Sequence, residues 1–375
     1  MTAARRLWLQ LHTYLGLSIG VLWVLVGLTG SILVFYLQLD LWINPEIAAT
    51  SSQPVASQQA VFDVLDETYP NRHASWRIEQ PLHPGWPIMA RYYTPVEKAH
   101  LQFAPLMVTV DPATLTVSSE RFWGEFLMTW IYNLHYNLLL DKIGKTLIGI
   151  FGLVSLISLL SGIILWWPGW HKLRTVLSWR LRSSTAKKVF DLHILSGSYG
   201  FILLLMLSLT GAALAFPTQT HQILKQFSTL YSAKTHPQHT SSSDSVSITA
   251  DEAVQLAQKK FPEAELRWVE SPGNNKHNWR VVFYQAGEPS RRFSRTQVWI
   301  NPHDGKVIAV RDGLAESAGD VVLNWLHPLH NGEVFGLTGR LLVFISGLIP
   351  LILFITGVMR WQQKRRAKQR IARRH

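Results

Sequence analysis

Four stretches of this chain carry no Asp, Glu, Lys or Arg: Leu7–Leu39, Thr146–His171, Leu192–Leu224 and Leu341–Met359. Each supplies roughly 20 apolar residues, the length needed to cross about 30 Å of hydrocarbon. Soluble cores seldom use helices so long and so uniformly apolar, so the pattern predicts a membrane α-helical bundle of four transmembrane helices.

The runs are also related to one another. A shift of 181 residues carries Leu11-His12, Gly16, Leu28-Thr29-Gly30 and Phe35 onto Leu192-His193, Gly197, Leu209-Thr210-Gly211 and Phe216. A second shift, of 195 residues, carries Trp130, Leu134-His135, Gly144, Lys145, Gly152, Gly162 and Trp166 onto Trp325, Leu329-His330, Gly339, Arg340, Gly347, Gly357 and Trp361. The chain therefore reads as two pseudo-repeats, the second holding 14 more residues between its apolar runs. Repeats of this size in membrane proteins commonly place a site at their junction.

Basic residues orient the bundle. Sixteen of the 36 cations, from Arg5-Arg6 through Lys172, Arg174, Arg180, Arg182, Lys187 and Lys188 to Arg360 and the C-terminal tail with Arg374, flank the runs on one side if four helices alternate. By the positive-inside rule that side is cytoplasmic and both termini face it. The remaining 20 basic residues stand against 24 acidic ones, so the net charge of +12 belongs to topology and lipid headgroups rather than to nucleic acid. Arg5-Arg6 before an apolar run resembles a signal peptide, but the run is too long for one, and it reads as a retained helix. Cysteine is absent, which excludes disulfides, thiolate-bound clusters and thioether-attached haem.

The resulting order is a transmembrane helix over residues 1–40, an outside domain over 41–121, an interfacial segment and second transmembrane helix over 122–170, and a basic cytoplasmic loop over 171–187. A third helix over 188–216, a second outside domain over 217–320, an outer histidine segment with the fourth helix over 321–361, and a basic tail over 362–375 complete it. Each outside domain opens with a helical pattern, Ser57–Tyr69 and Ala250–Lys260, the latter capped by Ser247-Ile-Thr249. Strand patterns follow at Trp76–Ile78, Met89–Tyr93, Leu106–Val110 and Leu115–Val117, and again at Glu265–Glu270, Trp279–Tyr284, Gln297–Ile300 and Val307–Val310. Ser232–Ser245 has the composition of a flexible linker.

Histidines within apolar segments carry the functional signal. Helical rise puts His12 and His193 towards the inner face and His135 and His330 towards the outer one, as two like-for-like pairs. Two pairs of imidazoles suggest two bis-ligated cofactors, and b-type haem fits because neutral imidazole binds iron from opposite sides. Gly16 and Gly197, one turn beyond His12 and His193, leave room for a flat group. Zinc fits less well, since only Asp191 and Glu333 lie close in sequence to the four histidines. His327 stands three residues before His330 and is an alternative ligand; the repeat register favours His330, because His327 falls opposite Tyr132. Lys145 and Arg340 suit either haem propionates or a snorkelling role. Trp76, Trp86, Trp123, Trp268, Trp279 and Trp325 are candidates for a substrate surface, although aromatics there more often fill a core.

The helix-then-strands segments, ending in Val110-Asp-Pro and Ile300-Asn-Pro-His-Asp-Gly, resemble the extracytoplasmic α+β PepSY domain. Together with Leu11-His12, Phe-Asp-Leu-His193, Asn-Leu-His135 and Leu-His327-Pro-Leu-His330-Asn-Gly, they make the whole chain resemble the PepSY-associated transmembrane family, and within it the inner-membrane ferric-siderophore reductases of Gram-negative bacteria. The resemblance implies two PepSY-like insertions in the periplasm and two non-covalent haems. It also implies an electron path from a quinol or a cytoplasmic reductant to a ferric siderophore, whose hard oxygen donors hold Fe(III) far better than Fe(II). Two other readings stay open: a non-enzymatic membrane protein that inhibits or tethers a periplasmic protease, and a transporter of intact siderophore.

Overall fold

The computed structural model describes residues 2–53, 55–174, 184–231, 248–273 and 278–373. The linker expected over Ser232–Ser245, the cap residue Ser247, the cations Arg180, Arg182 and Arg374, and His236, His239 and His277 lie outside the described residues. In chain order the first half holds α1 (Ala3–Ser18), α2 (Gly20–Leu33), α3 (Tyr36–Ile43), α4 (Gln58–Thr68), β1 (Trp76–Glu79), β2 (Ile88–Tyr92), β3 (Leu106–Val110), β4 (Val117–Phe122), α5 (Leu127–Asn137) and α6 (Asp141–Trp166). The second half holds α7 (Thr185–Ala215), α8 (Pro217–Leu224), α9 (Ala250–Gln258), β5 (Glu265–Glu270), β6 (Trp279–Tyr284), β7 (Thr296–Ile300), β8 (Val307–Arg311), α10 (Ala318–His330), α11 (Gly336–Ser346) and α12 (Ile349–Ala372).

These elements form two compact units. The helical unit comprises Met1–Phe35, Ile131–Thr220 and Leu326–His375. Among the described residues, three of its helical segments, Asp141–Trp166, Thr185–Ala215 and Glu333–Ala372, are long and apolar enough to cross a membrane. α1 and α2 make a fourth span if the bent pair counts as one, for they meet at 58°. The uniform run Leu7–Leu39, expected as one helix, is thus broken at Ile19 and again at Val34-Phe35. The first break has ordinary causes: Gly16 and Gly20 flank it, and the Ser18 hydroxyl turns back to the Leu15 carbonyl at 3.2 Å. Gly20 also lets the Phe354 ring lie against the backbone, where any Cβ would overlap it. α12 runs past Trp361, where the sequence placed its end, because no Gly or Pro interrupts Arg360–Ala372.

Short helices α5 and α10 carry the outer histidines and turn abruptly into the spans. Leu138, Leu139 and Asp141 take positive φ of 53°, 59° and 50° between α5 and α6, while Gly332 and Gly336, at 77° and 58°, do so between α10 and α11. Non-glycine residues rarely adopt this region, so the first turn is a strained one. Gly144 and Gly339 make both turns possible: a Cβ at either would strike the carbonyl oxygen of Asn137 or Gly332 respectively. Pro328 lies inside α10 without ending it.

The second unit, Tyr36–Trp130 with His221–Trp325, is built on a single eight-stranded sheet of order β4-β3-β2-β1-β5-β6-β7-β8. The two inserted segments expected from the sequence share this sheet, for β1 and β5 pair antiparallel through Arg77↔Glu270, Ile78↔Val269 and Glu79↔Trp268. Alternation along the strands turns Trp76, Ile78, Ile88, Ala90, Val108, Val269, Val281, Phe283, Val298 and Ile300 into one core with Val61 and Leu65 of α4 and Ala250, Ala253 and Ala257 of α9. The helices cap each other: the Asp251 carboxylate accepts from the Ser57 hydroxyl and the Gln58 amide, and Gln59 Oε1 accepts from the Ala250 amide. Strand β4 begins at Val117 rather than Leu115, because Leu115 occupies a left-handed turn (φ 55°) closed by Asp111.

Candidate cofactor site

Within the helical unit the rings of His12 (α1) and His193 (α7) stand 6.3 Å apart, centre to centre, and those of His135 (α5) and His330 (α10) stand 6.2 Å apart. Each imidazole also leans on a neighbouring helix through Nδ1. His12 Nδ1 lies 3.0 Å from Ser161 Oγ and 3.2 Å from the Ser158 carbonyl of α6. His135 Nδ1 lies 3.1 Å from Thr29 Oγ1 and 3.0 Å from the Val26 carbonyl of α2. His193 and His330 each have Nδ1 2.9 Å from a threonine hydroxyl, Thr356 of α12 and Thr210 of α7. A glycine follows every one of these hydroxyl residues, and the imidazole edge rests on it: a Cβ at Gly162, Gly30, Gly211 or Gly357 would come within 3.1, 2.9, 3.0 or 3.7 Å of Cε1 of His12, His135, His330 or His193.

The sequence marked Thr29-Gly30, Thr210-Gly211, Gly162 and Gly357 only as signs of a repeat. Their contacts with the histidines were invisible to it, and Ser161 and Thr356 drew no attention at all, though a shift of 195 relates them.

Around the inner pair lies a cavity of about 440 Å³, within the range of sites for sizeable organic ligands. Gly16 and Gly197 line it beside His12, His193, Gly20 and Trp23. A Cβ at Gly16 would meet nothing within 4 Å, and one at Gly197 only Leu353 Cδ2 at 3.5 Å. Arg5, Arg360 and Lys364, cations that the sequence had assigned to topology and lipid headgroups, also line the cavity and give it a place for anionic groups.

Other candidates fall elsewhere. The Arg340 guanidinium donates to the Val34 carbonyl at 2.7 Å and lies 4.6 Å over the Phe35 ring. The Lys145 ammonium is 5.4 Å from the centre of the Tyr136 ring. His327 Nδ1 is 3.3 Å from Asn331 Nδ2, and it is His330 that faces His135. Trp76 and Trp279 belong to the core of the sheet unit, while Trp268 stacks under Arg77 at 3.3 Å, Trp86 packs on His83 and Trp123 on Phe103. Trp325 lies in α10, five residues before His330.

Two imidazoles per site suit a metal that brings its other ligands with it. A metal–imidazole bond is about 2.0–2.1 Å, and with roughly 1.1 Å from nitrogen to ring centre on each side, two rings sharing one metal in trans have centres about 6.3 Å apart. Among the described residues no group of three or more His, Asp or Glu gathers as a complete metal cage. A planar tetrapyrrole fits both the ligand count and the bare glycine faces.

The profile of the PepSY-associated TM region matches residues 9–364, a stretch that takes in both histidine pairs and every strand. The chain belongs to the PepSY-associated transmembrane family. In keeping with that membership it is a membrane protein with a helical membrane region and a β-sheet domain inserted into it. An uncharacterized protein of Pseudomonas aeruginosa is 35% identical to this PepSY-associated protein over 82 residues, 22% of this chain, so the match spans about a fifth (20%) of that relative.

Proposed function

We propose that this protein is a di-haem b oxidoreductase of the bacterial inner membrane, made of two pseudo-repeats with four spans, which carries electrons to the periplasm to reduce ferric siderophores. The spacing of the rings, 6.3 Å and 6.2 Å, is the observation that supports it most, since both pairs meet the distance two imidazoles need to share one metal. His12 and His193 would hold one haem against Gly16 and Gly197, with Arg5, Arg360 and Lys364 near its carboxylates; His135 and His330 would hold the other.

Bound haem supplies a one-electron couple at each of the two depths. With both imidazoles of each pair taken up in holding its haem, the chain would offer substrate no ligating side chain there, and electrons would pass to the ferric chelate without a bond to it. Both histidine pairs use α7, where His193 and Thr210 lie 17 residues apart, so about 25 Å of helix separates the two levels. The basic flanks keep both termini cytoplasmic and the sheet unit periplasmic. Each Fe(III) chelate takes up one electron and becomes Fe(II), which its hard oxygen donors hold weakly. A quinol giving two electrons and releasing two protons, or a cytoplasmic reductant, is the source.

The test is the membrane-purified protein itself. Two haems per chain, a reduced b-type spectrum, and reoxidation on adding a ferric hydroxamate or catecholate are the expected results. A folded, colourless protein from haem-replete cells would sink the reading and favour a protease-tethering role.

A further inference from the structure

Each of the four histidines rests on a Ser/Thr-Gly dipeptide of a neighbouring helix: His12 on Ser161-Gly162, His135 on Thr29-Gly30, His193 on Thr356-Gly357 and His330 on Thr210-Gly211. These hydroxyls already give their protons away. Thr29 donates to the Leu25 carbonyl at 2.7 Å, Thr210 to Met206 at 2.7 Å, Thr356 to Ile352 at 2.6 Å and Ser161 to Ser158 at 2.7 Å. A hydroxyl whose single proton is held by its own helix offers only lone pairs to anything else. Beside the rings stand carbonyls that likewise only accept: Val26 at 3.0 Å from His135 Nδ1, Ser158 at 3.2 Å from His12 Nδ1, and those of Leu353 and Leu207 beside His193 and His330. An imidazole facing acceptors alone must carry its proton on Nδ1, which leaves the Nε2 lone pair as its ligating atom.

We propose that the four Ser/Thr-Gly dipeptides are positioning residues: the hydroxyl fixes each histidine as the Nδ1–H tautomer, and the glycine seats the ring edge so that Nε2 is presented to the metal. The proposal rests on the haem reading for its purpose but not for its tautomer. It makes the ligand-ready state a property of the protein before any cofactor arrives. The glycine matters as much as the hydroxyl, since a Cβ at Gly30 or Gly211 would press into the ring at 2.9 or 3.0 Å and turn it. Because a hydrogen bond at Nδ1 also raises the basicity of the ligating nitrogen, loss of the hydroxyl favours the ferrous state of a bound iron and raises its potential.

The experiment uses the full chain carrying Thr210→Val, with Thr210→Ser as the conservative control. Val keeps the shape and removes the acceptor; Ser keeps the acceptor. In protein from haem-depleted cells, nitrogen-15 spectra of labelled histidine should show His330 as Nδ1–H in the wild type and in Thr210→Ser, and as a tautomer mixture in Thr210→Val. In haem-loaded protein, Thr210→Val should weaken haem at the outer site by about 10–100-fold and raise its potential, leaving the inner site unchanged. If Thr210→Val binds two haems with wild-type affinity and potential and shows an unaltered His330 spectrum, the positioning role is overturned while the haem reading stands. If the wild type binds no haem yet shows the tautomer and its loss in Thr210→Val, the haem reading fails and the positioning role stands.

Discussion

His135 and His330 lie 195 residues apart in the chain and bring their ring centres to 6.2 Å from two short helices of 11 and 13 residues. His12 and His193 meet in the same way from α1 and α7. Because the two pairs draw on different histidines and different hydroxyl-glycine platforms, they should lose cofactor independently. His135→Ala is expected to cut haem from two to one per chain, as is His12→Ala, and the double variant should hold none. Haem per chain from reduced-minus-oxidised spectra checks this; a single variant that loses both or neither would mean that the pairs are misassigned.

Gly16 offers a cleaner separation of folding from binding. A Cβ there meets nothing within 4 Å, so Gly16→Ala should leave the unfolding midpoint in detergent within about 0.5 kcal/mol of the wild type. Gly16→Phe should fill the inner cavity and abolish haem there while the outer site stays loaded. Gly20→Ala is the opposite case, because its Cβ would overlap the Phe354 ring and overpack the α2–α12 contact, at a cost of about 1–3 kcal/mol. A Gly16→Phe protein with both haems retained would show that the cavity is not the inner site.

Glu79 gives the sheet unit a pH dependence. Its side chain is 13% exposed and lies between Arg77 Nε at 3.2 Å and Arg91 Nε at 3.0 Å. Burial alone would push its carboxyl up, but the guanidinium groups of Arg91 and Arg77, with Arg292, outweigh that and hold it below the usual carboxylate range. A carboxylate with a depressed folded-state pKa adds stability above its unfolded value and loses it as pH falls through the folded one. The unfolding midpoint should therefore drop as the pH goes below about 4.3, the ordinary glutamate value. Glu79→Gln should cost about 3 kcal/mol at neutral pH by leaving the arginines uncompensated, and should flatten the acid dependence. Denaturant titrations at pH 7 and pH 4 decide it; equal losses for both proteins on acidification would refute the role given to Glu79.

What the sequence made readable was what repeats along it. Alternation in Trp76–Ile78 and the apolar, β-branched stretch Leu106–Val110 located strands, and the two shifts paired His12 with His193 and His135 with His330. The joining of β1 to β5 was not readable, since Arg77↔Glu270 pairs residues 193 apart and neither strand carries a local mark of its neighbour. Nor was the bend at Ile19, because hydropathy records how long an apolar run is and not whether its helix is straight. The histidine platforms lay between these cases: Thr29-Gly30 and Thr210-Gly211 stood out as a repeated word, but their use depends on which helix lies beside them, and that is decided by packing.

The choice between His327 and His330 can be settled by one comparison. Both lie on α10, three residues apart, and sequence alone favoured His330 only because His327 aligns with Tyr132. In the fold the two rings have different partners: His330 Nδ1 lies 2.9 Å from Thr210 Oγ1 and its ring faces His135, whereas His327 Nδ1 lies 3.3 Å from the Asn331 amide. A side-chain amide nitrogen is a donor only, so His327 must accept through Nδ1 and hold its proton on Nε2, the opposite tautomer from the one that ligates through Nε2. His327→Ala is thus expected to keep two haems and an unchanged spectrum, and His330→Ala to lose one. If the outcomes were exchanged, α10 would have to turn by about 60° and slide by about 4.5 Å along its axis to bring His327 to His135.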